Sequence, residues 1–167
     1  MIRVICNASP VIGLIGINKL NLLWELFDDV LMPEAVYQEI CAGNRISDQQ
    51  LIQSAINNKH IRVIKIQGTA TVDTLLGRLH RGELETIIGA REDPETSFAI
   101  IDERAARTFA ASLLIDTIGI LGILRHAKAK GLIENVSTYI DKLVQTGYRI
   151  STALYNQMLE EENELRI

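Results

Sequence analysis

Short runs of apolar and often β-branched residues alternate with segments of helical periodicity along most of the chain. Such alternation favours a parallel sheet that is covered by helices on both faces. The crossovers between its strands are expected to be right-handed. The sequence therefore predicts an α/β fold with a central parallel sheet, whose strand-like runs are residues 2–6, 30–32, 61–66, 98–101 and 115–118.

Helices are predicted between these runs from the spacing of apolar residues and from residues that begin or end helices. Ser9 is expected to cap a first helix, with Pro10 at its first position, and Ser47 to cap another. Asp102 is expected to cap the helix that follows it, and Gly43 to end a helix in a left-handed conformation. The predicted helical segments are 20–27, 33–41, 47–58, 82–91, 103–114, 120–130, 136–146 and one begun by Ser151, with a loop at 68–71 and a helical pattern from residue 72.

The length of 167 residues suits a single domain, in which 151–167 form a C-terminal helix and an acidic tail. Asp116 and Gly122 interrupt the longest apolar stretches, so no membrane-spanning helix is expected, and the N-terminus lacks a signal-like core. These features indicate a cytoplasmic protein. The net charge of −4 argues against broad electrostatic attraction to nucleic acid, so any such contact must depend on a local patch of cations.

Oxygen-bearing side chains follow two of the strand-like runs, at the edge where ligands collect in an open parallel sheet. Asn7 and Asp102 occupy these positions, Glu39 borders the apolar stripe of a helix, and Glu83 and Glu85 lie at the start of another helix. Each has an ordinary explanation as a turn former, a helix cap, an exposed charge or a charge at the positive end of a helix. Together they supply the hard oxygen ligands that magnesium and manganese prefer.

Other kinds of site receive no support from the sequence. The three histidines lie in unrelated segments without zinc-ligand spacing, and Cys6 and Cys41 have neither metal-type spacing nor the setting of a disulfide. No Ser-His-Asp arrangement can be assembled, and no Gly-rich loop of the Gly-x-Gly-x-x-Gly or Walker type is present.

Five segments are distinctive: CNASPVI at 6–12, LMPEAVYQE at 31–39, RGELE at 81–85, IDERAAR at 101–107 and GILG at 119–122. In this order they resemble a prokaryotic branch of the PIN-domain family that is described as predicted nucleic-acid-binding proteins. The resemblance covers nearly the whole chain. It implies a three-layer α/β/α fold with four or five parallel strands, an acidic pocket at one end of the sheet, and metal-dependent ribonuclease chemistry. Many relatives are the toxin halves of toxin–antitoxin pairs.

The resemblance also implies which residues form the pocket. The acidic positions of active PIN nucleases correspond to Asn7, Glu39, either Glu83 or Glu85, and Asp102. Asn7 departs from the family pattern, since it has an amide where active members have a carboxylate. An amide carries no net charge, whereas two unit charges 4 Å apart interact by roughly 4 kcal/mol at an effective dielectric of 20. Weaker metal binding is therefore expected. Asp116 is a reserve acid near the last strand, with a loop carboxylate as the alternative interpretation.

Contacts with nucleic acid are predicted at Ser9, Arg81, Arg104 and Arg107, which flank the predicted pocket. A second basic stripe has helical spacing and is interpreted either as a grip on an RNA backbone or as a solvated helix face. Its members are Arg125, His126, Lys128 and Lys130.

Three functions remain open at this stage. The first is a magnesium- or manganese-dependent endoribonuclease, in which a metal-activated water attacks a phosphodiester, acting as the toxin of a toxin–antitoxin pair. The second is a nucleic-acid-binding or regulatory module that has lost efficient catalysis and whose last helix, through Leu154, Met158 and Leu165, binds an antitoxin-like helix or another copy of the chain. The third is an unrelated enzyme acting on a small phosphorylated ligand. A homo-oligomer is expected.

Overall fold

The computed structural model describes residues 1–68, 77 and 79–165. Within these residues, five parallel strands form one sheet in the order β3-β2-β1-β4-β5. This confirms the predicted α/β class. The strands are β1 (Arg3–Cys6), β2 (Asp29–Pro33), β3 (Arg62–Ile64), β4 (Thr96–Ile100) and β5 (Thr117–Ile118).

Helices cover both faces of the sheet, as the three-layer arrangement requires. In the described part of the chain they are α1 (Ala8–Gly16), α2 (Leu22–Leu26), α3 (Glu34–Ala42), α4 (Ile46–Asn57), α5 (Arg81–Glu92), α6 (Arg104–Ser112), α7 (Ile120–Ala129), α8 (Ser137–Gln145) and α9 (Thr152–Glu161). The loop expected through residue 71, the helical pattern expected from residue 72, and the last two residues of the acidic tail lie wholly or largely outside the described residues.

The strand order changes direction at β1, which lies in the middle of the sheet. From β1 the chain adds β2 and β3 on one side and later β4 and β5 on the other. The carboxyl ends of β1 and β4 are level, because Cys6 pairs with Ile100 and the Asn7 N–H donates to the Ile100 carbonyl at 3.0 Å. In open parallel sheets such a switch point leaves a crevice beyond the strand ends, where ligands bind.

Strand periodicity divides the apolar side chains between two cores. Val4 and Cys6 belong to the core beneath α1, α7 and α8, whereas Ile5 points to the opposite face and packs with residues of α5 and α6. All three side chains are fully buried. Burying a side chain of this kind contributes roughly 1.5 to 3 kcal/mol, so the two cores fix β1 between them and hold the strand ends in place.

Ion pairs hold the opposite, amino edge of the sheet together. Arg3 of β1 contacts Asp29 at 2.7 Å and Asp93 at 2.9 Å, and Arg62 of β3 reaches the same Asp29 at 2.7 Å. The two arginines lower the pKa of Asp29, and Arg3 also contributes to a lowered pKa of Asp93. The amino ends of three neighbouring strands are thereby tied to one charge cluster, while the carboxyl edge carries the polar site.

Several predicted helix ends were wrong in detail. The residue that precedes α1 is Asn7, so Ser9 lies inside the helix, and α4 starts after Arg45 without a side-chain cap, so Ser47 is also internal. Gly43 ends α3 with φ −63°, which is not left-handed. Ser9 and Ser47 were misassigned because the neighbouring packing starts each helix a residue or two earlier than local capping preference suggests.

Asp102 does not cap the helix that follows it. The cap of α6 is Glu103, whose carboxylate accepts the Ala105 N–H at 3.2 Å. The Asp102 carboxylate instead accepts the N–H of Ile120, the first residue of α7, at 2.8 Å. A contact across 18 residues depends on the sheet, so the local pattern could not show it. At the other end of the chain, Ser151 does cap α9 through the Leu154 N–H.

No helix among the described residues is long and apolar enough to cross a membrane.

Candidate active site at the carboxyl edge of the sheet

A cradle beside Gly82 brings together oxygens from two distant parts of the chain. A Cβ atom built on Gly82 would lie 2.9 Å from Oε2 of Glu39 and 3.4 Å from Oδ1 of Asn7. Asn7 is positioned by the end of β1, Glu39 by α3 and Gly82 by the first turn of α5. Both oxygens therefore approach a space that exists because residue 82 has no side chain.

The side-chain oxygen of Asn7 is buried and lacks a partner. Asn7 is 4% exposed, and its Oδ1 accepts no hydrogen bond from any residue that the structure describes. It does not cap α1 either, although it stands at the N-cap position. An unsatisfied buried acceptor costs about 1 to 3 kcal/mol, so this oxygen calls for an ion or a donor beyond those that the described residues provide.

Glu39 and Glu83 are neighbours on the same side of the cradle. Much of Glu39 contacts solvent, but partial burial of its carboxylate raises its pKa; the positive field of His80 opposes this rise, and the nearby charge of Glu83 adds to it. Glu83 is 6% exposed, and its Oε2 accepts the His80 N–H at 2.9 Å. A cation beside the two carboxylates would relieve both burial and like-charge repulsion.

Glu85 is held differently from Glu83, although both open the same helix. Its Oε1 contacts Nε of Arg81 at 3.0 Å, and its Oε2 accepts the Ala35 N–H at 3.3 Å. Glu85 is also 6% exposed. Oε1 is thus paired within α5, and Oε2 ties α5 to the first turn of α3. Of the two candidates for the third acidic position, the geometry leaves Glu83 as the one beside Glu39.

Asp102 forms a second half of the site, near another glycine. A Cβ atom on Gly119 would lie 2.7 Å from Oδ1 of Asp102 and 3.4 Å from Nη1 of Arg107. Burial raises the pKa of Asp102, whereas the Ile120 N–H and the charge of Arg107 act in the opposite direction. A carboxylate and a guanidinium therefore lie next to each other, close to the N-terminus of α7.

Tyr148, which precedes the last helix, also belongs to this half and was not anticipated from the sequence. Burial, together with the charge of Asp102, raises the pKa of Tyr148 to about 12, while Arg107 opposes the rise. The phenol is consequently a neutral hydrogen-bond donor at every physiological pH. Nothing in the sequence around Tyr148 signals this, because the residue reaches Asp102 only through the packing of the segment after α8. The two glycines, in contrast, stand within the distinctive RGELE and GILG segments.

The remaining predicted site residues lie around or away from these two halves. Ser9 and Arg104 are exposed in the first turns of α1 and α6. Arg81 is engaged with Glu85. Asp116 precedes β5, and its carbonyl accepts the Ala99 N–H at 2.9 Å. It is therefore level with Phe98, four residues before Asp102, which at about 3.3 Å per residue puts its backbone roughly 13 Å along the strand from Asp102.

The oxygen ligands at this site are of the kind that a divalent metal prefers, but within the described ranges they do not form a complete coordination shell. Among residues 1–68, 77 and 79–165, no three His, Cys, Asp or Glu side chains lie close enough to form a metal cluster. The oxygens of Asn7, Glu39 and Glu83 are nevertheless hard donors, and one of them is orphaned. Magnesium is commonly held by only one or two carboxylates, with water and substrate phosphate completing its shell. The donor set suits an ion that binds together with its substrate.

Comparison with known proteins identifies the class of protein that this fold and site define. A family model described as a PIN domain matches residues 3–164. The chain therefore belongs to the PIN-domain family, as its five distinctive segments predicted. PIN domains have a nuclease-type fold associated with nucleic-acid binding, and they generally use divalent metal ions. No curated protein and no solved structure matches the chain.

Proposed function

We propose that the protein is a magnesium- or manganese-dependent endoribonuclease that hydrolyses RNA phosphodiesters. The observation that carries the proposal is the orphaned Oδ1 of Asn7, which faces the same space beside Gly82 as the Glu39 carboxylate. A buried acceptor and a carboxylate of raised pKa, placed at the switch point of a parallel sheet, together form a seat for a hard cation.

Each residue of the site would have a separate role. Glu39 and Glu83 would hold the cation, and the amide oxygen of Asn7 would orient a water or a phosphate oxygen beside it. Asp102 would act from the second half, either as a further ligand or through water, with its position fixed by the Ile120 N–H. When bound, the cation supplies positive charge that stabilises the phosphate in the transition state and favours the hydroxide form of an attacking water.

Substrate phosphate would be held by cations on the Asp102 side. Arg107 lies beside Asp102 and Gly119, so its guanidinium can neutralise charge that develops on the phosphate. Tyr148 stays protonated and can donate a hydrogen bond there. In the balanced reaction, the water oxygen forms a bond to phosphorus, the bond from phosphorus to one ribose oxygen breaks, and that oxygen takes up a proton while the water loses one.

A second candidate function is a nucleic-acid-binding or regulatory module with weakened catalysis. Two observations favour it: Asn7 replaces a charged ligand, and the described residues hold no preformed metal cluster. Under this alternative the protein binds RNA or a partner protein, such as an antitoxin, without turnover. A toxin role would follow from the first function and not from the second.

The two candidates separate in one set of measurements. RNA cleavage and manganese binding are measured for the wild type and for Asn7→Asp, with chelator as the blank. Asn7→Asp adds a charge beside Glu39, and even 1.4 kcal/mol of extra attraction gives tenfold tighter manganese binding. For a nuclease, the wild type cleaves in a chelator-sensitive way. A wild type that binds RNA but cuts it only after Asn7→Asp identifies the weakened module, and cleavage that persists in chelator would contradict the metal-dependent proposal.

A further inference from the structure

The basic stripe on α7 is covered by the C-terminal segment of the chain. Arg125 contacts Glu161 at 3.0 Å and Glu162 at 2.8 Å. Lys128 contacts Glu164 at 2.6 Å and also donates to the backbone carbonyl of Glu162 at 2.7 Å. Two members of the predicted stripe, Arg125 and Lys128, are thus paired with carboxylates of the C-terminal segment.

The Glu164 carboxylate is surrounded by the same donor groups that bind phosphate in proteins. Its two carboxylate oxygens accept the N–H groups of Val136 and Ser137, each at 2.8 Å, at the N-terminus of α8. The Lys128 ammonium completes the set. Although burial opposes ionisation, these donors lower the pKa of Glu164 to about 2. Backbone N–H groups at a helix start together with a lysine are the usual protein ligands of an anionic oxygen, whether carboxylate or phosphate.

The covered face lies on the helix whose first residue contacts the candidate active site. The first residue of α7, Ile120, donates its N–H to Asp102, and Arg125 and Lys128 follow five and eight residues later on the same helix. At 1.5 Å per residue they lie about 8 and 12 Å along the helix from the Asp102 end. A shallow groove of about 550 Å³ runs beside them, lined by Ile118, Gly122, Arg125, His126, Lys128 and Glu162.

The Arg125 part of the cover is weak enough for a polyanion to displace. Arg125 remains 45% exposed, and its solvent-accessible ion pairs with Glu161 and Glu162 typically contribute less than about 1 kcal/mol each. Lys128 is 24% exposed and is held more firmly, by Glu164. The net charge of −4 offers RNA no general attraction. Freeing two cations on this helix would make the electrostatic potential beside the site more positive and so attract phosphate.

We propose that the face of α7 bearing Arg125 and Lys128 binds phosphates of single-stranded RNA, and that Glu162 and Glu164 cover this face in the free protein. The identity of the ligand rests on the proposed ribonuclease function, whereas the cover and the cationic face follow from the contacts above. RNA that reaches the active site along α7 exchanges its phosphates for the carboxylates of the chain's own C-terminal segment.

The test compares two double variants of equal charge in the full-length protein. Glu162→Gln with Glu164→Gln uncovers the face. Glu134→Gln with Glu160→Gln is the control, because both residues are exposed and form no ion pair with the described part of the chain. Binding of a short unstructured RNA oligonucleotide is measured in chelator across a salt series, and thermal unfolding checks that both variants are folded.

We expect the uncovering variant to bind RNA more tightly than the control and with a steeper dependence on salt. Two additional phosphate contacts on a single strand steepen the slope of log K against log salt by about 1.4, which is about a sevenfold larger loss of affinity between 50 and 200 mM salt. Adding Arg125→Gln and Lys128→Gln to the uncovering variant should remove the gain.

Equal affinity and slope in the two double variants would overturn the inference, as would a gain that survives the loss of both cations. A preference of the uncovered face for polyglutamate over RNA would also overturn it, since the partner would then be an acidic protein segment. RNA cleavage with manganese is assayed separately. If the protein cleaves RNA but uncovering has no effect on binding, the ribonuclease function stands and the covered RNA-binding face is rejected. If uncovering tightens RNA binding but no cleavage is seen, the covered face stands and the ribonuclease function is rejected.

Discussion

Gly82 is the residue on which the first half of the site depends. Its missing side chain leaves the space into which the oxygens of Glu39 and Asn7 project. An alanine there would put a methyl group 2.9 Å from the Glu39 oxygen, closer than side-chain carbons normally come to other atoms. Because the Glu39 carboxylate ends a flexible side chain, it can move aside, and the fold should survive at the expense of the ligand seat.

Gly82→Ala should therefore weaken manganese binding without unfolding the protein. We expect the dissociation constant for manganese, measured by calorimetry, to rise at least about tenfold, or 1.4 kcal/mol. Gly16→Ala is the matched control, since its new methyl meets Thr146 at an ordinary 3.4 Å at the end of α1. Manganese binding by Gly82→Ala that equals that of the control would show that the cradle is not the metal seat.

Asp102 combines a structural bond with a buried charge, and the two can be separated. Asp102→Asn keeps an oxygen for the Ile120 N–H but removes the charge. Burial raises the pKa of Asp102 in the folded state, so the folded protein loses stability as the pH rises through the unfolded and then the folded pKa. Asn titrates nowhere in this range and avoids that loss.

We thus expect Asp102→Asn to resemble the wild type in urea unfolding near pH 3 and to be the more stable of the two at pH 7, with chelator present. RNA cleavage should fall at least about 100-fold, the scale seen when one charge-stabilising group is lost. A variant that is less stable at pH 7, or one that retains cleavage, would contradict the role given to Asp102.

Among the elements, α8 has an N-terminus that another segment caps. Glu164 binds its first N–H groups, and its pKa of about 2 lies below the ordinary value of 4.5. A depressed pKa means that the carboxylate stabilises the folded protein above about pH 4.5, and that this contribution is lost as the pH falls toward 2. The glutamate also connects α7 to α8, so the effect concerns the packing of two helices.

Glu164→Gln should lower the free energy of unfolding at pH 7 by about 1 to 2 kcal/mol. This is less than the full pKa shift would give, because solvent partly screens the lysine partner. The difference from the wild type should shrink between pH 4.5 and pH 2. Glu160→Gln, on an exposed part of α9, should show no such pH dependence in the same urea titrations. A constant difference across this range would argue against the ionised contact.

Strands and helices were largely predictable because their signals are local. The short apolar and β-branched run at residues 2–6 placed β1 correctly. Gly131 and Gly147 follow α7 and α8 with φ of +72° and +98°, the left-handed conformation in which glycine commonly ends a helix. Helix starts were less predictable. Ser9 and Ser47 have the chemistry of caps, but the chain enters each helix before them, and neither helix start has a side-chain cap hydrogen bond from a described residue.

For the whole molecule, the proposed mechanism makes stability depend on metal. Asn7, Glu39 and Asp102 all leave unfavourable terms in the folded protein, an orphaned acceptor and two carboxylates of raised pKa. A ligand present at 100 times its dissociation constant adds about 2.7 kcal/mol to the stability of the folded state. In a chain of this size, 1 kcal/mol shifts the unfolding midpoint by about 2 to 4 °C.

Saturating manganese should accordingly raise the unfolding temperature by about 5 to 10 °C, and chelator should reverse the rise in the same scanning calorimetry experiment. Glu39→Gln combined with Asn7→Ala is expected to show almost no shift. A wild type that is indifferent to manganese and magnesium would leave the PIN fold in place but would exclude this metal-dependent mechanism.

By itself, the sequence determined the fold class and the family, because strand periodicity, helix spacing and short motifs are properties of neighbouring residues. It also supplied the four candidate ligands, but it left Glu83 and Glu85 equivalent. Only the tertiary structure separated them, because one oxygen of Glu85 accepts the Ala35 N–H of α3 while the other pairs with Arg81 within α5. The same holds for Tyr148 and for the covered face of α7, since contacts between distant segments arise from packing and leave no local pattern in the chain.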